Sequence, residues 1–205
     1  MFLTWLAFLF LALSGGSQSK VEHRNQEEPQ LYLEREAYEI YAVLLPEEWT
    51  WKYAKAESLV IQQETETYPD SPDQQECLPS GEEFLANFGD VLENYKKANA
   101  SRKLLARGFP IEKPYDLVPR KEIMGLIAIK EGMHDWSAFY ARYPRSRGYI
   151  QVSAVGFNSD KTTAIVYVGH SCGGLCGGGT YHLLEKIDGK WRRSKVKAVT
   201  CAWVS

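Results

Sequence analysis

Residues 149–199 read YIQVSAVGFNSDKTTAIVYVGHSCGGLCGGGTYHLLEKIDGKWRRSKVKAV, and this stretch decides the fold. Four runs in it are dense in β-branched and aromatic residues: Tyr149–Phe157, Thr162–Gly169, Thr180–Ile187 and Lys190–Val199. Such side chains fit a pleated, half-buried surface better than a helix. Asp188-Gly189 separates the last two runs, and this pair tolerates the positive φ angles of a type I′ hairpin turn. Asn158-Ser159-Asp160 turns the first pair. Sequential strands on short turns predict an antiparallel meander.

Moving towards the N-terminus, the period changes. Leu33, Ala37, Ile40, Tyr41 and Leu44 recur at helical spacing, with Glu34, Arg35 and Glu39 on the other side, which predicts an amphipathic helix ending near Pro46. Ala56–Gln62 reads as a strand, followed by a polar loop with three prolines. Ser80-Gly81-Glu82-Glu83 has the capping-box pattern, and the helix it opens lines up Phe84, Phe88, Val91 and Tyr95, with Leu85 and Leu92 beside them. Glu122–Ile129 suits a short helix or a strand. Asp135 caps a brief helix that turns Trp136, Phe139 and Tyr140 inward and stops at Pro144. The expected fold is α+β, with N-terminal helices packed on one face of the C-terminal antiparallel β-meander.

Residues 1–19 look like a secretory signal peptide. Thr4 is the one polar residue between Phe2 and Leu13, and as a helix that run reaches only about 18 Å against the roughly 30 Å of a bilayer core. Small residues follow, with Ser14/Gly16, Gly15/Ser17 and Ser17/Ser19 each meeting the requirement for cleavage. The n-region has no lysine or arginine. Residues 20–30 read as a flexible lead-in and 31–205 as one α+β domain. No later stretch has transmembrane length, so the expected location is exported, periplasmic or extracellular.

Charge is unevenly spread. Residues 1–100 hold 7 basic and 18 acidic side chains, whereas 101–205 hold 17 and 8. In one domain the simplest outcome is that the halves lie together and partly neutralise; a nucleic-acid or membrane-binding half is the other.

The run Gly169-His170-Ser171-Cys172-Gly173-Gly174-Leu175-Cys176-Gly177-Gly178-Gly179 reads as a glycine-rich loop between two strands. Three chemistries compete for it. Export favours a Cys172–Cys176 disulfide, with intervening glycines allowing a tight closure. His170, Cys172, Cys176 and His182 are zinc-ligand types, but H-x-C-x3-C-x5-H is not a structural-zinc spacing. A thiolate nucleophile with His170 or His182 as base is the third, and no orienting residue can be named for it. GGLCGGGT also lacks the lysine of a phosphate-binding loop. The four cysteines allow three pairings, and Cys172–Cys176 with Cys77–Cys201 is the arrangement chosen.

Residues 156–191, GFNSDKTTAIVYVGHSCGGLCGGGTYHLLEKIDGKW, together with the upstream segment Trp136–Pro144, resemble an uncharacterised family of exported bacterial proteins. The shared pattern is W..F...YP, then GFN, a YVGH-CG-LCG loop and LLEK-DGKW, and it covers roughly the last 70 residues. The resemblance implies bacterial origin and a common fold, and brings no activity with it. Cys77 and Cys201 lie outside the shared pattern.

On the last run, Trp191, Arg193, Lys195 and Lys197 fall on one strand face, a basic ladder suited to an anionic polymer or headgroup as well as to a solvated sheet surface. Arg142, Arg145 and Arg147 extend it if they lie nearby. The functional expectation is therefore an exported, non-enzymatic binding or structural domain at the cell envelope, with Arg193, Lys195 and Lys197 as binding residues. Its partner would be a protein or an envelope polymer, with no specific nucleic acid and no cofactor or metal. The alternative is a small hydrolase or thiol enzyme using Cys172, Cys176, His170 and His182.

Overall fold

The computed structural model describes residues 28–45, 56–67, 78, 81–130, 132–196 and 203–204. The signal-like residues 1–19, Cys77, Cys201, Ser80 of the capping box and Lys197 lie outside the described residues. In chain order the elements are β1 (Gln30–Tyr32), α1 (Arg35–Leu44), β2 (Leu59–Gln62), α2 (Glu82–Ala98), β3 (Lys103–Leu105), β4 (Tyr115–Val118), α3 (Arg120–Leu126), β5 (Ala128–Lys130), β6 (Met133–Asp135), α4 (Ser137–Arg142), β7 (Tyr149–Val152), β8 (Gly156–Phe157), β9 (Thr163–Gly173), β10 (Cys176–Ile187), β11 (Lys190–Arg193) and β12 (Trp203–Val204).

A mixed sheet runs in the order β11-β10-β9-β7-β2-β4, with β8 paired to β9 and β12 to β10. This corrects the expected fold. Strand outweighs helix, and the antiparallel portion β7-β9-β10-β11 is only part of the sheet, because β2 joins it in parallel to β7 and carries β4 in parallel on its far side. Helices also cover both faces rather than one. Ala164, Val166 and Val168 pack with Ala37, Ile40, Tyr41 and Leu44 of α1, while the alternate residues Ile165 and Tyr167 pack with Val91, Leu92 and Tyr95 of α2. On β2 the same alternation sends Leu59 and Ile61 to α1, and Val60 to a third cluster with Ile123 of α3 and Phe139 of α4.

The sequence hid this for a physical reason. A strand covered on both sides is a continuous apolar run, so AIVYV and LVI do not reveal how many layers enclose them or which way a neighbour runs. The local turn chemistry was more informative. Asp188 and Gly189 adopt φ of 51° and 74°, and Ile187 faces Lys190 across the turn. The Asn158 side chain accepts hydrogen bonds from the amides of Thr162 and Thr163 at 2.8 and 2.9 Å, closing the β8–β9 connection.

Two other expectations are refined. α2 is capped by Gly81 with no side-chain bond, and the chain kinks at Phe88 (φ −135°), so only its second half, from Val91, is buried. Glu122–Ile129 is both options in turn, the end of α3 followed by the start of β5. Part of the charge asymmetry is offset by pairs between the two halves: Lys161 with Glu34 at 3.0 Å, Lys186 with Glu36 at 2.8 Å, and Arg102 and Arg120 with Glu66 at 3.4 and 3.3 Å. Among the described residues, no helix is long and apolar enough to cross a membrane.

Candidate binding face

The glycine-rich segment is strand rather than loop. β9 continues through His170 and Cys172 to Gly173, and β10 begins at Cys176, leaving Gly174-Leu175 as a two-residue turn. Cys172 and Cys176 are joined by a disulfide, with Cα atoms 5.0 Å apart. Ser171 pairs with Gly177 and Gly173 with Cys176, so two steps on β9 answer one on β10, and Cys172 is the extra residue of a β-bulge. A bulge leaves its residue outside the regular ladder. Here the Cys172 carbonyl accepts a 2.7 Å hydrogen bond from the Tyr140 hydroxyl of α4. Beyond the clamp, Leu175 is 91% exposed.

The segment between α4 and β7 supports this tip from beneath. Gly148 has φ of +99°, and a β-carbon there would meet Cys172 Cα and Cβ at 2.8 and 2.9 Å. Its neighbour Arg147 receives the His170 imidazole on its carbonyl, with Nε2 3.3 Å away. Burial of that ring pushes its pKa down to about 4, so it is neutral at ordinary pH.

The sequence-proposed residues do not converge. His170 faces Gly178 across the ladder and His182 faces Val166, four positions further along β9, roughly 13 Å at strand rise. His182 instead meets Arg193, with Nδ1 and Nη1 2.8 Å apart. Both sulfurs of the hairpin are bonded to each other, so neither is a thiolate for zinc or for attack on a substrate. β11 ends at Arg193, and Trp191 is buried against Phe157 and the α1 cluster, with the Lys186 ammonium 5.3 Å from its ring. Lys195 lies past the strand end, so the described part of the ladder presents Arg193 as its one strand-borne cation.

Two sets of polar residues escaped the sequence reading. One is buried. Glu66, 6% exposed, accepts from Gln62 Nε2 at 2.8 Å as well as from its two arginines, while Glu64 accepts from the Arg120 amide at 2.7 Å. The even-numbered run Gln62, Glu64, Glu66 beyond Val60 was the available signal.

The other set is open. Ser58, Asp116, Arg142, Tyr143, Pro144, Arg145 and Ser146 enclose a cavity of about 220 Å³ below the hairpin tip. Its frame is fixed by backbone bonds, since the Arg145 carbonyl accepts from the amides of Glu57 and Ser58 at 3.1 and 3.3 Å. The Tyr143 hydroxyl donates to Glu122 at 2.9 Å, and the Arg142 guanidinium lies 5.3 Å from the Tyr143 ring centroid. Ser58 also lines a small crevice with Arg147 and Gly148, the latter packed under Cys172.

Comparison with known proteins finds no matching family model, no matching curated protein and no matching solved structure.

Proposed function

We propose that this is an exported, non-catalytic binding domain of the bacterial cell envelope, and that the clamped β9–β10 tip is its contact element. The observation that carries the reading is Leu175, a large apolar side chain held almost fully in solvent on a covalently closed turn. A pinned turn loses little conformational freedom when a partner covers it, so a small contact yields more net affinity. Export rests on the signal-like residues 1–19 and on a disulfide that persists outside the reducing cytoplasm. The resemblance of the C-terminal run to exported bacterial proteins supports the same compartment. The thiol-enzyme alternative has no nucleophile at this site while both sulfurs are bonded.

Leu175→Glu places a charge where the partner would bury a leucine without altering the fold. The variant should keep the native circular dichroism spectrum and lose at least tenfold in retention on isolated bacterial envelope fragments. Unchanged retention would remove the tip from the binding role.

A further inference from the structure

We propose that the cavity walled by Arg142 and Arg145 is a binding site for a phosphate group carried on a hydroxylated scaffold, such as a polyol or sugar phosphate. This deepens the reading of the protein as a binding domain by naming the chemistry of a site next to the tip. Its volume, about 220 Å³, falls below the roughly 300–1,000 Å³ of pockets that enclose drug-sized ligands. The space fits one compact group and its immediate attachment.

The walls specify that group. Both guanidinia are exposed, and among the described residues neither forms an ion pair. Arginine presents planar pairs of N–H donors that match the oxygens of a phosphate. The Arg142 guanidinium is braced over the Tyr143 ring, which reduces its ordering cost on binding, and two amides on the Arg145 carbonyl fix the backbone from which that arginine projects. Ser58 adds a hydroxyl donor to the wall.

Asp116 gives the site its selectivity. A carboxylate on the wall accepts hydrogen bonds from several hydroxyl groups at once, which a polyol or sugar supplies and inorganic phosphate does not. A ligand that sets hydroxyls beside its phosphate therefore satisfies all the walls at once, whereas inorganic phosphate satisfies the arginines and Ser58 and brings Asp116 no polyol hydroxyls. The Ser146 hydroxyl is occupied by the Tyr143 carbonyl at 2.8 Å, so it shapes the floor rather than reading the ligand.

The test is calorimetric titration of the full chain with glycerol phosphate, inorganic phosphate and glycerol. Glycerol phosphate should bind saturably and several-fold more tightly than inorganic phosphate, and glycerol should not bind. Arg142→Ala and Arg145→Ala should each weaken glycerol phosphate about tenfold with unchanged thermal stability. Asp116→Ala, which removes the acceptor, should bring the two phosphates to similar affinity. Leu175→Glu should bind glycerol phosphate as the native chain does, so the cavity and the tip succeed or fail separately. Titrations that both arginine variants leave unchanged, or a preference for inorganic phosphate in the native chain, would overturn the assignment.

Discussion

Gly148 is the residue on which the tip and the cavity segment both depend. Its φ of +99° is costly for any residue with a β-carbon, and that carbon would also press into Cys172. Gly148→Ala should cost about 2–4 kcal/mol in chemical denaturation, well above a surface substitution. The neighbouring His170 makes a pH prediction. Its folded pKa is held below its unfolded value by burial, so between pH 6.5 and about 4 the unfolded chain binds a proton that the folded chain does not. Its contribution to stability is present above the upper limit and is lost as pH falls through this window. Denaturation midpoints should therefore drop from pH 6.5 to 5, above most carboxylate titration, and His170→Gln should flatten that slope. Glu66 is the third such residue. Glu66→Ala removes the carboxylate shared by Arg102, Arg120 and the Gln62 amide, while Arg102 keeps the Thr65 carbonyl and Gln62 the Glu64 carbonyl, so it should destabilise by about 1–2 kcal/mol, discounted because Arg120 is 40% exposed.

At the level of elements, the β9–β10 hairpin shows what could and could not be inferred. Its far turn was legible because Asp-Gly carries its own backbone requirement. Its near end reads as a loop because glycine is depleted in strands, yet Gly169, Gly173 and Gly177–Gly179 pair across it. Gly169 has a packing role, since a β-carbon there would meet the Tyr167 hydroxyl and ring at 2.8–3.1 Å. The cavity was still less legible: Ser58, Asp116 and Arg145 come from separate elements, and no local spacing announces their meeting. The disulfide closes only five residues, so reduction should lower stability by roughly 2 kcal/mol without unfolding the chain, as thermal melts with and without reductant would show. Helix α1 is pinned to the sheet by Glu36 and Lys186, and Lys186 beside Glu36 holds its carboxyl below the usual range. A double-mutant cycle on this pair should return a coupling of about 1 kcal/mol or less.

At the scale of the molecule, the sheet organises the three apolar clusters found among the described residues, and its strands are joined out of sequence order. β2 meets β7 and β4 in parallel, and β1 meets β3 in parallel across more than seventy residues, Gln30 opposite Lys103. Closing such separations before any contact repays them makes folding slow, so refolding should fall in the millisecond-to-second range in stopped-flow fluorescence. The bulge at Cys172 has a consequence at this scale. In most half-buried strands, a slip of one position is punished because greasy side chains turn outward. β9 has no such alarm: AIVYV is apolar on both sides, so a shifted alignment still finds oil above and below. A covalent bond between residues four apart allows only one alignment at its end of the hairpin. The clamp thus works as a bookmark in an otherwise ambiguous zip, fixing the page against which both layers of helices lie.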